Sequence, residues 1–459
     1  MRIPLPFFGF CVFLAAFGSQ PISAKTIHVP GDQPTIQAAI DVSEPGDRIL
    51  VAPGTYQERP VLKAGVSLRA AENAAEKTVI DGGGAGGGKS PGVTMAEGSE
   101  IEGFTVTNVG FYDEAKWKSH WETRGDEQAH DDIGGLHAPA IAADGVICRI
   151  ARCIVHHNGD TGIAIRGKDG LSLNPLVLDN ICHRNMGGGI GAMGGVGGII
   201  QGNRCFENFY AGIGHSGGAR PLVTGNDCYG NIRAGIGVSE GSCPVVRANR
   251  CHGNRRAGIG IRTGAETRPV IQENDCFENG MAGIGVEEGA EPVLTGNRCE
   301  KNTLAGIGLQ GEARALITHN RVLSNAEAGI GLRPGTEAIL WKNVCTDNGM
   351  VAVGLPESAR AVLVDNDLSR SGGGMPPLVA VKGGSDAILA RNRLSGGGVA
   401  GVLVDGRVIL SKNQITGPEN SGGQGIWVWK GGTAILDDNT IEGFKKPVSV
   451  SEGGTLVNP

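Results

Sequence analysis

The sequence predicts an all-β fold, a right-handed parallel β-helix of about 23 residues per coil, on three observations. The first is a fixed period: Asn180, Asn203, Asn226, Asn249, Asn274, Asn297, Asn320, Asn343 and Asn366 follow one another at 23 residues, with one interval of 25. A period in this range marks a solenoid, whose units bury their apolar faces only against their neighbours. The second is the content of the unit, Asn-x-Cys-x-x-Asn-x-x-Ala-Gly-Ile-Gly and an apolar return. Its short alternating runs, such as Ile284–Val286, are separated by Gly, Asn and Pro. Those are strand and turn signals, and no apolar stripe at helical spacing accompanies them. The third is that the repeat writes out ladders. An isoleucine column (Ile190 to Ile330) and a cysteine column (Cys182 to Cys299) are expected inward. A second asparagine column (Asn185 to Asn348) is expected at a corner.

Residues 1–24 carry one charge, Arg2, then an apolar run ending in Ile22-Ser23-Ala24. This reads as an export signal, too short for a membrane span. No second long apolar run follows, so a secreted or periplasmic protein is expected. The formal charge is −6, and −7 once Arg2 is removed. That balance argues against nucleic acid as partner. The ten remaining cysteines read as a column of small buried side chains, because parallel stacking holds their Cβ atoms slightly too far apart for disulfides. A Cys148–Cys153 bridge is an open alternative off the column. No Cys-x-x-Cys occurs, and no metal site is assigned.

Residues 25–80 read as a cap. Thr35 opens a short amphipathic helix, with strand–turn–strand around it. Residues 81–459 form the coils, regular from 180 to 366, with an insertion at 111–137 that breaks every feature of the repeat. The patterns Thr-Ile-x-x-Ala-Ile from Thr35 and Pro-Gly-Asp-x-Ile-x-Val-x-Pro-Gly-x-Tyr from Pro45 resemble the N-terminal region of pectin lyase-like β-helix proteins. Pectinesterases and periplasmic proteins of the copper-maturation type open similarly. The resemblance implies the fold and a carbohydrate prior, and it does not name a reaction. Reaction-specific motifs of polygalacturonases, pectinesterases and alginate epimerases are missing.

Two places could carry chemistry. The insertion gathers Trp117, Trp121 and three of the ten histidines, and loops thrown off a rigid scaffold are favoured functional sites. Within it, Asp131 and Asp132 could serve as acid and base on a glycosidic bond, or hold a hard cation such as calcium. Lys116, Lys118 and Arg124 could neutralise a uronate carboxylate and supply the base, aided by His120 or His130. The alternative is a solvated, charged loop. The second place is a stripe of one ring per coil: His156, His183, Phe206, Tyr229, His252 and Phe277. Such rings suit stacking on sugars, with Trp117 and Trp121 beside them, and equally suit stabilising one another. Trp427 and Trp429 are expected outward beside the glycine row. His215 interrupts an inward aliphatic column and reads as a buried histidine. The leading expectation is an exported β-helix that binds a polysaccharide and could cleave or epimerise it. The rivals are a non-catalytic scaffold or adhesin for a protein partner, and a periplasmic metal-handling accessory.

Overall fold

The computed structural model describes residues 24–457 except 73, 85–89, 127, 129–137 and 372–375. The export-signal segment up to residue 23 lies outside them, as do His130, Asp131, Asp132 and His137.

Each coil lays down three short strands, for example Ile199–Gln201, Arg204–Phe206 and Ile213–Ser216. We call the surfaces they build the first, second and third faces. First-face strands stack into one sheet of 18, which makes about 18 turns. The other two faces share a sheet of 29 strands. Pairing is parallel and in register, so equivalent residues of successive coils lie directly above one another. The predicted columns follow from that register. Ile190, Ile213, Ile236 and Ile259 are fully buried, and so are Cys182, Cys205, Cys228 and Cys251. All ten described cysteines are free thiols. Cys148 and Cys153 are therefore unbridged, and burial pushes both thiols above their ordinary range.

The corners explain the asparagines. Before each Asn the chain passes through one left-handed residue, such as Asp179 (φ 55°), Glu207 (φ 53°) or Glu278 (φ 54°). For non-glycine residues this is unfavourable by about 1–2 kcal/mol. It turns the chain but leaves backbone groups unpaired inside a bend, and the amide ladder satisfies them. Asn208 donates Nδ2 to the Cys182 carbonyl (3.0 Å) and to Asn231 Oδ1 (3.1 Å), while its backbone N–H donates to the same Oδ1 (3.0 Å). Asn180, Asn203 and Asn226 repeat the pattern at the other corner. The two extra residues of the 25-residue interval lengthen the loop between Ile259–Ile261 and Val270–Gln272.

At the N-terminal end, helix α1 (Ile36–Val42) is capped by the Thr35 hydroxyl, which accepts from the Ala38 N–H (3.1 Å). It buries Ile36, Ala39 and Ile40 over the first coils. None of the helices among the described residues is long and apolar enough to cross a membrane.

Candidate functional site

The insertion leaves the coil between Thr105–Val109 on the second face and Ile141–Asp144 on the third. It forms helix α2 (Glu114–Glu122), capped by Asp113, whose carboxylate accepts from the Lys116 N–H (2.9 Å). The helix is a strap laid along the corner between the second and third faces. Trp117 is 5 % exposed and packs with Phe209, Tyr210 and Ile232. Its indole N–H donates to the Glu207 carbonyl (2.8 Å). Trp121 stacks on it, ring centroids 5.3 Å apart. Arginines from the coils fasten both rings. The Arg184 guanidinium lies 3.9 Å from the Trp117 ring and pairs with Glu114 (3.1 Å) and Glu207 (2.6 Å). Arg255 lies 4.9 Å from the Trp121 ring and donates to the Trp121 carbonyl (2.9 Å). Arg256 donates to the carbonyls of Arg124 (2.9 Å) and Gly125 (2.6 Å). These carbonyls close the α2 C-terminus, where partial negative charge favours a cation.

The strap therefore spends its tryptophans on anchoring. Trp117 presents no open ring face to a ligand, and Trp121 has one face on Trp117. Lys118 is exposed and paired with Glu114 (3.2 Å). Arg124 sits at the helix end with φ 56°, its side chain exposed.

The ring stripe stands where its spacing puts it, on the second face. Its geometry decides what it can do. Neighbouring rings from His183 to Phe277 are nearly coplanar stacks, at 4.7, 4.9, 5.1 and 4.7 Å with tilts of 2–10°. His156 continues the pile at 5.0 Å and 27°. Every interior ring thus has both faces covered, and solvent meets only edges. Sugar rings stack on aromatic faces, whose quadrupole attracts their C–H bonds. The stripe's established contacts are therefore with itself. Burial, with the nearby His157, holds His156 down to about 4, and burial likewise holds His183 near 4, so both rings are neutral. Asp227 lies beside the stripe, 3.1 Å from His252 Nε2 and 3.8 Å from Arg250.

The third face differs from both. Its outward positions are Gly214, Gly237, Gly260, Gly285, Gly308 and Gly331, a bare strip over six successive coils. Beside the strap this strip is edged by arginines. Arg233 and Arg256 occupy the same corner position on adjacent coils, the Arg256 N–H donating to the Arg233 carbonyl (3.3 Å). Arg262 follows Ile259–Ile261 at the strip's other margin. Burial, then the charges of Arg262 and Arg256, bring the Arg233 guanidinium down to about 10. Tyr210 and Glu287 act in the opposite sense. Among the described residues the Arg233 side chain makes no hydrogen bond or ion pair. Sequence reasoning missed it, because that corner position runs Tyr210, Arg233, Arg256, Met281 and shows no pattern.

The model of one family, the right handed beta helix region, matches residues 137–265, 211–338, 260–375 and 324–441. These overlapping matches span well over half of the chain. The chain belongs to the right-handed β-helix family. Solved structures with a similar course include the periplasmic alginate epimerase AlgG, at 17% identity over 77% of this chain and 81% of that one, with a TM-score of 0.40. The Azotobacter vinelandii mannuronan C-5 epimerase AlgE4 A-module is similar at 14% identity over 92% and 94%, with a TM-score of 0.43. The catalytic unit of a GH87 alpha-1,3-glucanase from Streptomyces thermodiastaticus is similar at 14% identity over 97% and 70%, with a TM-score of 0.37. These likenesses describe the fold alone. A comparison with curated proteins gives no match.

Proposed function

We propose that the protein binds an acidic polysaccharide along the third face, with Arg233 holding a carboxylate or sulfate group of the chain. The carrying observation is a half-buried guanidinium without a described hydrogen-bond or ion-pair partner, in the field of two further arginines, on a chain of net charge −6. A half-buried cation among like charges loses part of its hydration with no partner to offset the loss. An anion brought by a ligand offsets that loss and gains a charge-assisted hydrogen bond. The glycine strip lets an extended polymer approach the backbone closely, and the strap forms one wall of the site. Arg256 and Arg262 add positive field, so the site discriminates by charge first.

Cleavage or epimerisation is the catalytic form of this reading. It assigns proton transfer to His130, Asp131 and Asp132 of the same insertion, with Lys118 and Arg124 steering the acidic chain towards them. Export fits a polymer of the cell envelope or surroundings. The test incubates the protein with acidic and neutral polysaccharides, with and without calcium. Co-elution with acidic polymers alone supports binding, and shortened chains or unsaturated uronate absorbance lost in His130→Ala and Asp131→Ala supports catalysis. Equal co-elution with neutral polymers, or none with any, rejects the reading.

A further inference from the structure

The first face carries an apolar ladder that none of the described residues covers. Leu316, Ile339, Ile388 and Ile409 point outward on successive or nearby coils and are 38%, 51%, 42% and 38% exposed. Val362 completes the run between Ile339 and Ile388 in unbroken register. Exposed aliphatics standing singly are ordinary, but a contiguous strip of this length marks an interaction surface. Two residues before each aliphatic, on the same face, stands a charge: Arg314, Glu337, Arg360, Asp386 and Arg407, with Glu291 one coil earlier. The signs alternate without a break. Within the chain they pair rung to rung, for example Arg360 with Glu337 (3.4 Å) and Arg407 with Asp386 (2.9 Å).

Alternation with this period is self-complementary. Consider a second copy placed face to face, its solenoid axis reversed, about a two-fold axis running along the strands between the Glu337 and Arg360 rungs. Glu337 then meets the other Arg360, Arg314 meets Asp386, and Glu291 meets Arg407. Each contact joins opposite signs, and the aliphatic ladders meet each other alongside. We propose that the first face is the interface of a two-fold homodimer in this antiparallel register. From Val245 to Val457 the overlap covers ten rungs. At ~4.8 Å per rung and a strand width of roughly 16 Å, each copy buries about 700 Å². A standard stable interface buries roughly 800 Å² per partner, so the face is close to the required size. An isologous patch of this kind closes into a dimer and does not propagate into a fibre. The third face stays open, so the inference stands apart from the polysaccharide reading.

The experiment is sedimentation equilibrium of the purified protein and two charge variants, with far-UV circular dichroism to confirm the fold. The wild type is expected at twice the mass of the chain. Glu337→Arg and Arg360→Glu each set like charges across the axis and are expected as monomers. An equimolar mixture of the two restores both cross-axis pairs and is expected to return to the dimer mass. Ile339→Asp, at an exposed position that the fold tolerates, is also expected as a monomer. A monomeric wild type, dimers of either charge variant alone, or a mixture that stays monomeric each overturns the proposal.

Discussion

Replacing His215 with valine tests the inward columns and their electrostatics together. His215 is 3 % exposed and stands in register between Ala192 and Val238. Its Nδ1–H donates to the Gly237 carbonyl (2.9 Å), which leaves Nε2 as a buried acceptor with no described partner. Such an orphan costs about 1–3 kcal/mol, against about 1 kcal/mol for the hydrogen bond that valine gives up. The two nearly offset each other at neutral pH, so His215→Val is expected within about 2 kcal/mol of the wild type and on the stable side. The larger effect is in acid. Burial lowers His215 from an ordinary value of 6.5 to about 4. Below pH 6.5 the unfolded chain takes up a proton that the folded chain refuses until about pH 4. The wild type therefore loses stability across that window, and the loss is complete below it. At ~1.4 kcal/mol per unit of separation, the site contributes a loss of roughly 3 kcal/mol that the valine variant does not suffer. His156 and His183 shift in the same direction but are common to both proteins and cancel in the difference. Guanidinium unfolding at a series of pH values, followed by circular dichroism, gives that difference. A variant whose advantage is the same at pH 7 and pH 4 would refute the reasoning.

Three further outcomes follow from the geometry. Trp117→Ala removes the strap's buried anchor, a change of about 3–5 kcal/mol for a large aromatic. It should release α2 locally, raising proteolytic cleavage within 111–137 while the coils keep their circular dichroism. Asn254→Ala deletes donors to the Cys228 carbonyl and Asn279 and the acceptor of Asn231. At about 1–3 kcal/mol for each buried group left unpaired, it should cost more than 3 kcal/mol in denaturant unfolding, and a loss under 1 kcal/mol would show that water replaces the ladder. Phe206→Ala removes a ring stacked on both sides and should cost a few kcal/mol, from lost burial and two stacks at about 0.5–1.5 kcal/mol each. Affinity for acidic polysaccharide should be unchanged, since the ring faces are already occupied; a matching loss of affinity would return the stripe to the binding site.

The coils were legible because periodicity survives translation into space. One register puts Ile213 on Ile236 and Cys205 on Cys228, so the columns could be written down from spacing alone. Ring orientation could not, since the spacing of His183, Phe206 and Tyr229 is the same whether faces point at solvent or at each other. The strap was visible as a break in the repeat but its docking was not. Trp117 meets Phe209 and Ile232 across about a hundred residues, at corner positions where the repeat tolerates any side chain. Arg233 was hidden for the same reason. Its significance lies in a side chain with no partner among the described residues, which has no sequence signature.

The central claim is that Arg233 is held ready for an anion. Its direct test is titration calorimetry of an acidic polysaccharide into the wild type, Arg233→Gln and Arg233→Lys, repeated across salt concentrations. The account predicts that glutamine weakens binding by at least tenfold, that lysine restores part of it, and that the salt dependence of affinity is shallower in the glutamine variant. Equal affinity and equal salt dependence in all three proteins would contradict it.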